Sequence, residues 1–309
     1  GDEITNINTP KFSGTTEPDS KVLLTINNQT YEQKANEQGE WSISVGSPLA
    51  DGAYDYKINV SDSAGNQAQE TGTVIIDTKA PELAAHLETI SATSEKGDEI
   101  TNINTPKFSG TTEPDSKVLL TINNQTYEQK ANEQGEWSIS VGSPLADGAY
   151  DYKINVSDSA GNQAQETGTV IIDTKAPELA AHLETISATS EKGDEITNIN
   201  TPKFSGTTEP DSKVLLTINN QTYEQKVNEQ GQWSILVADP LADGAYDYEI
   251  NVYDKAKNQA QFKGKMIVYT ELPDATVTLA PIDNTVATHV DIPQIDSTMM
   301  QIEVDNHYF

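Results

Sequence analysis

Two sets of acidic side chains, one sequence repeat apart, are the groups in this chain whose types and spacing could do chemistry. The first is Asp77, in the segment DTKAP, with Glu113 and Asp115 in TTEPDS and Asp158 and Asn162 in DSAGN. The second is Asp173, Glu209, Asp211, Asp254 and Asn258. Facing groups on the preceding repeat are Asp2, Glu3 and Asp51 for the first set, and Asp98, Glu99 and Asp147 for the second. Carboxylates drawn within a few ångströms of one another repel, or take up protons, unless a cation compensates. Oxygen donors from loops of differing length, with no His or Cys among them, suit Ca2+ better than Mg2+ or Zn2+, because Ca2+ accepts roughly six to eight oxygens in flexible geometry. The spacing is not that of an EF-hand, since no DxDxDG loop closed by a Glu occurs. The competing reading is that these are ordinary solvated loop acids.

The elements that would position these groups follow from an internal repeat. GDEITNINTPKFSGTTEPDS opens at Gly1, again at Gly97 and again at Gly193, a period of 96 residues, and residues 1–96 and 97–192 are identical. The third copy drifts after Lys226, with Val227 for Ala131, Gln232 for Glu136, Leu236 for Ser140 and Glu249 for Lys153. A period of that size is one small β-sandwich, well above the unit of a solenoid. Period-2 alternation in the second copy predicts strand A over Leu83–Ile90, B over Pro106–Thr111 with Phe108 inward, and C through Val118, Leu120 and Ile122. Asn123-Asn124 turns C into a strand D at Thr126–Lys130, and E starts at Trp137. F carries Tyr150, Tyr152, Ile154 and Val156 on one face, and G ends on Val170-Ile171-Ile172. The expected class is all-β: tandem Ig-like sandwiches arranged end to end as a rod. The expected domains are 1–76, lacking its own strand A; 77–172; 173–268; and a divergent segment or partial repeat over 269–309. With strands running alternately up and down, the B–C and F–G loops share a pole with the incoming linker, so the acids above meet at two junctions. Trp137 reads as core rather than a ligand-stacking ring. Tyr150, after Asp147-Gly148, reads either as a tyrosine corner or as a half-buried strand residue.

Acidic residues number 48 against 19 basic, a net charge of −29, which excludes nucleic acid as a partner and disfavours anionic membranes. No apolar run is long enough for direct membrane insertion, no signal peptide opens the chain, and the sequence reads as an internal piece of a longer protein. Cysteine is absent, so the core, calcium or both must hold each domain. The four histidines are His86, its copy His182, His289 and His307; with no Cys, none has a repeated Ser or acid partner that reads as a triad, and His86 and His182 read as exposed strand residues, so no enzyme is expected.

The pieces DTKAP, NTPKFSGTTEP, GEWS, PLADGAY and VSDSAGN, in this order in essentially every repeat, resemble the bacterial Ig-like repeats of giant type I-secreted (RTX-type) adhesins of Gram-negative bacteria. The resemblance implies an extracellular, cell-surface stalk in adhesion and biofilm formation, stiffened by Ca2+ at domain junctions that include the linker aspartate. That role maps onto Asp77 and Asp173 first, then onto Glu113, Glu209, Asp158 and Asp254. Its partners would be neighbouring repeats of the same chain, with the host or surface ligand bound elsewhere in the full protein. The alternative is a carbohydrate- or receptor-binding Ig-like module. Two departures matter: Tyr269 stands where Asp173 stands one repeat earlier, which predicts weak calcium binding or none at the third exit, and Glu17, Asp19 and Asp62 of the first copy form half a site.

Overall fold

The computed structural model describes residues 3–90, 92–93, 97–190 and 193–272. Contacts divide the chain into one unit, Gly1–Thr270, that holds three β-sandwiches, and a second, Glu271–Phe309, of which only residues 271–272 are described. Asp2 and nearly all of the divergent segment therefore lie outside the described residues. No helix occurs among the described residues.

The second repeat shows how the alternating pattern becomes two layers. One sheet is A–B–E: strand A (Ala84–Leu87) and strand E (Glu136–Ser140) flank strand B (Lys107–Thr111), all antiparallel. The other is built on strand C (Lys117–Ile122), F (Gly148–Ser157) and G (Gln163–Ile172). Asn123 and Asn124 both adopt positive φ, 48° and 59°, so the chain after C reverses tightly and pairs with C itself. The strand expected as D (Gln125–Lys130) is thus the outer edge of the C–F–G sheet. At every second position the side chain is buried between the layers: Val118, Leu120 and Ile122 on C, Trp137 and Ile139 on E, and Tyr152, Ile154 and Val156 on F. Each large apolar side chain so buried contributes on the order of 1.5–3 kcal/mol.

Strand A departs from expectation. It does not continue to Ile90; the chain leaves sheet A–B–E after Leu87, joins the edge of the other sheet at Ala92–Thr93, and turns back antiparallel to that pair as a short strand A′ (Glu99–Thr101), which pairs in parallel with the end of G, Glu99 opposite Val170. Glu99 is therefore a sheet residue. Its Oε2 accepts a hydrogen bond from Tyr152 Oη at 3.1 Å and its Oε1 one from Leu87 N at 3.4 Å, so one carboxylate ties the two sheets together. Burial and the adjacent Glu99 push the Tyr152 hydroxyl well above the usual phenol range. The Tyr152 ring packs against Phe108, centroids 4.7 Å apart, and crosses strand G over Gly168, where any Cβ would run into the phenol. The tyrosine-corner reading of Tyr150 holds: its Oη donates to Ala146 O at 3.0 Å, as Tyr54 does to Ala50 and Tyr246 to Ala242.

Among the described residues the first repeat has B (Lys11–Thr15) paired only with E (Glu40–Ser44), and its Phe12 is 8% exposed where Phe108, beneath strand A, is 0% exposed. In the third repeat Tyr248 bonds Glu195 Oε2 at 2.8 Å, and Phe262, replacing Glu166, adds a second ring beside it. Gly168→Ala should destabilise the second repeat by about 1–3 kcal/mol through overpacking, read as a loss in urea midpoint that is the same with and without calcium.

Candidate metal centre at the repeat junctions

The linker aspartate is placed by the repeat before it. Asp77 N donates to Thr5 O at 3.0 Å, extending the A′–G pairing by one residue, and Asp173 N does the same to Thr101 O. Glu113 sits in the B–C turn, whose tightness comes from Asp115 at φ 64° and from Ser116 N bonding Glu113 O. Asp158 opens the F–G turn. Its Oδ1 accepts from Asn162 N and its Oδ2 from Asn162 Nδ2, both at 2.9 Å, and the same Nδ2 reaches across to Asp77 O at 2.8 Å. Asn6 N of the upstream repeat bonds Ala160 O of that turn at 3.2 Å. Asn162 thus acts as a neutral strut between a turn and a linker that are 85 residues apart.

These contacts bring one carboxylate oxygen each from Asp77, Glu113 and Asp158 within 4.8 Å of one another. The electrostatic consequence is visible at Glu113, whose pKa is raised by burial first and then by Asp158, Asp77 and Glu82, with Lys79 opposing. The second junction repeats the hydrogen-bonded frame and the raised pKa values, although among the described residues only Asp77, Glu113 and Asp158 come within that distance of one another. Asn258 Nδ2 bonds both Asp173 O and Asp254 Oδ2, at 2.8 and 2.9 Å. Burial, then Asp254 and Asp147, raise Asp173, while burial, then Asp173 and Asp254, raise Glu209; Asp254 itself is buried. The residues fit a hard divalent cation: the donors are all oxygen, their negative charge outweighs the opposing Lys79 and Lys175, and Thr112 Oγ1 and Thr208 Oγ1, next in sequence to Glu113 and Glu209, are buried without a hydrogen-bond partner.

Other candidates are placed differently. Asp115 pairs with Lys130 Nζ at 2.6 Å, and Asp211 with Lys226 and Lys255 at 3.0 and 2.9 Å, which holds the Asp211 carboxyl below the usual range. Asp51 Oδ1 accepts from Thr78 N and Oγ1, and Asp147 Oδ1 from Thr174 N and Oγ1. Glu99 is committed to Tyr152 and Leu87, and Glu3 stands in the corresponding strand Glu3–Thr5, where its charge raises Tyr56 after burial has done so. Asp98 is partly buried immediately before A′. In the first repeat Asp19 pairs with Lys34, and Asp62, bonded by Asn66, is held below the usual range. Glu113 and Asp158 converge with the linker acid Asp77, whereas Asp115 and the acids of strand A′ and of the E–F loop serve the repeat that bears them. The linker threonine carries no charge and escapes a search for acids, although DT, DT and YT at 77–78, 173–174 and 269–270 retain it through every copy.

The strand register also gives two of the histidines a neighbour that their sequence positions do not reveal. Pairing of strands A and B sets His86 Nε2 3.0 Å from Ser109 Oγ, and His182 the same distance from Ser205, so each of these histidines does have a serine partner, hidden in the sequence by 23 residues. Both histidines are exposed, as expected. Ser109 also bonds Glu88, whose pKa is lowered by Lys107 first and then by Ser109. Ser109 lies mid-strand between A and E, so its surrounding backbone N–H groups belong to two ladders rather than to an oxyanion hole.

The model of the bacterial Ig-like domain family matches residues 1–78, 79–174 and 175–270. Among solved structures, one described as a "Ca2+-stabilized adhesin" that "helps an Antarctic bacterium reach out and bind ice" is 30% identical, with 88% of this chain and 71% of that chain covered and a TM-score of 0.32. A structure bearing on host cell surface retention of a 1.5-MDa bacterial ice-binding adhesin is 25% identical, covering 86% and 93%, with a TM-score of 0.35. A tetra-tandem repeat from the extending region of a large adhesion protein is 22% identical, covering 85% and 71%, with a TM-score of 0.31. No curated protein matches the chain. The repeat-by-repeat match over nearly all of residues 1–270 carries the assignment: this chain belongs to the bacterial Ig-like domain family, as three members in tandem.

Proposed function

We propose that the chain is a non-catalytic segment of a bacterial surface stalk, in which Ca2+ bound at the repeat junctions stiffens the connection between successive sandwiches. The observation that carries this reading is the meeting of Asp77, from the linker, with Glu113 and Asp158, from two turns of the following repeat. Charge repulsion makes that arrangement costly alone and favourable around a divalent cation. Asp77, Glu113 and Asp158 would hold one ion, and Asp173, Glu209 and Asp254 a second. The ion would supply the charge compensation that lets linker and turns close on each other. The linker at the third exit has Tyr269 in place of the aspartate and would hold no such ion. Repeats of the same sequence suit a spacer, in which copy number sets reach; the ten-residue strands F and G are each about 33 Å long at roughly 3.3 Å per residue.

Small-angle scattering on the chain with calcium and with chelator tests this reading: the maximum dimension should rise with calcium, and an unchanged value refutes it. Asp173→Asn should loosen the second junction alone, seen as a longer-lived open state by a fluorophore pair spanning repeats two and three, while the unfolding of each sandwich is unaffected.

The pH response has a definite sign. Raised pKa values at Glu113, Glu209 and Asp173 mean that the closed junction binds protons more tightly than the open one. In chelator, closure is therefore penalised at neutral pH, and the penalty fades as pH falls through the raised pKa values towards the ordinary carboxylate range near about 4. The same fluorophore pair should report tighter junctions in mild acid without metal, and weaker calcium binding there because protons compete for the same oxygens.

A further inference from the structure

Each linker makes a second set of contacts that involves no shared carboxylate cluster. Thr78 N and Oγ1 donate to Asp51 Oδ1 at 3.0 and 2.8 Å, and Thr174 N and Oγ1 to Asp147 Oδ1 at 2.9 and 2.8 Å. At the third exit, where Tyr269 has replaced the linker acid, Thr270 still bonds Asp243, with N to Oδ1 at 3.0 Å and Oγ1 to Oδ1 at 2.7 Å. The preceding residue is fixed equally in all three, since Asp77, Asp173 and Tyr269 each donate their N–H to the threonine carbonyl that ends A′. The contact set thus persists at the exit that has lost the acid, which separates it from metal binding. Beyond the threonine the linker changes character. Lys79 and Ala80 are exposed, and Pro81 is buried in the next sandwich; Lys175, Ala176 and Pro177 repeat this. Ala80 and Ala176, each preceding a proline, are restricted to extended conformations.

We propose that the Asp–Thr step of each linker is a fixed part of the repeat before it, clamped by Asp51, Asp147 or Asp243 independently of any ion. The hinge between repeats is then confined to two residues, 79–80 and 175–176. Asp51 and Asp147 are positioning residues: by holding Thr78 and Thr174 they hold Asp77 and Asp173 aimed at the turns of the next repeat. The effect on calcium rests on the stalk reading above; the clamp itself does not. Because the upstream donor is already in place, the downstream turns alone have to swing onto it, and less freedom is lost on closure.

The test uses the whole chain labelled with 15N-threonine, in chelator, with the amide signals of Thr174 and Thr270 identified by their loss in the Thr174→Val and Thr270→Val chains. Both amides should exchange at least about 10-fold more slowly than in an unstructured peptide. Asp147→Ala should release Thr174 only, and Asp243→Ala Thr270 only, with the sandwiches still folded. Calorimetric titration should show Asp147→Ala weakening calcium at the second junction by about 5–10-fold, the order expected for losing one or two hydrogen bonds, and Thr174→Val, which removes only Oγ1, weakening it less. Exchange at unstructured rates in the wild-type chain, or an Asp147→Ala chain indistinguishable from wild type in both readouts, overturns the proposal. A chain that takes up no calcium, yet whose Thr270 amide is released by Asp243→Ala, retains the clamp and refutes the calcium reading instead.

Discussion

Repulsion between carboxylates contributed by separately folded repeats is the constraint on which the junctions depend. Asp77 comes from the end of one sandwich, and Glu113 and Asp158 come from two turns of the next, so no single repeat carries the full charge density. Closing a junction concentrates that charge and removes water from it, which is why burial heads the causes that raise Glu113, Asp173 and Glu209. The neutral side chains at the meeting point, Asn162 and Asn258, donate in two directions at once and hold turn against linker. With a divalent cation bound as proposed, the same repulsion becomes an attraction, and the stiffness of the connection becomes a property of the surrounding solution.

Inside the second repeat, by contrast, the Glu99 carboxylate is fully used by its own sandwich, and its charge raises the pKa of the tyrosine it binds after burial has done so. Glu99 accepts from Tyr152 and from Leu87, one partner in each sheet, and the tyrosine reaches it only because Gly168 leaves the path open. Repeat three keeps the tyrosine–glutamate bond, Tyr248 to Glu195, and adds the Phe262 ring beside Tyr248. Its F–G turn brings Lys255 onto Asp211, and its exit trades an aspartate for Tyr269. The third copy therefore diverges mainly at its exit, its turns and its outer strand faces, while the buried alternation of strands C and F is preserved.

Much of this was legible in the linear sequence. The period from Gly1 to Gly97 defines the number of sandwiches, and the alternation Val118, Leu120, Ile122 defines a strand and its inward face, because side chains on a strand alternate by simple geometry. The spacing of turn signals identifies the two loops that share a pole with the linker, and so predicts that Asp77, Glu113 and Asp158 approach one another, as they do.

What the tertiary structure decided is the direction each acid takes. Asp115 is two residues from Glu113, yet a positive φ and the reach of Lys130 send it to the sheet edge. Glu99 follows Asp98 in what reads as a loop, but the chain crosses to the other sheet there and the side chain turns inward. His86 and Ser109 become neighbours through the register of strands A and B alone. In each case residue type and spacing set what a group can do, whereas its partner is set by register, backbone handedness and the burial of nearby apolar side chains, all of which depend on residues far away in the chain.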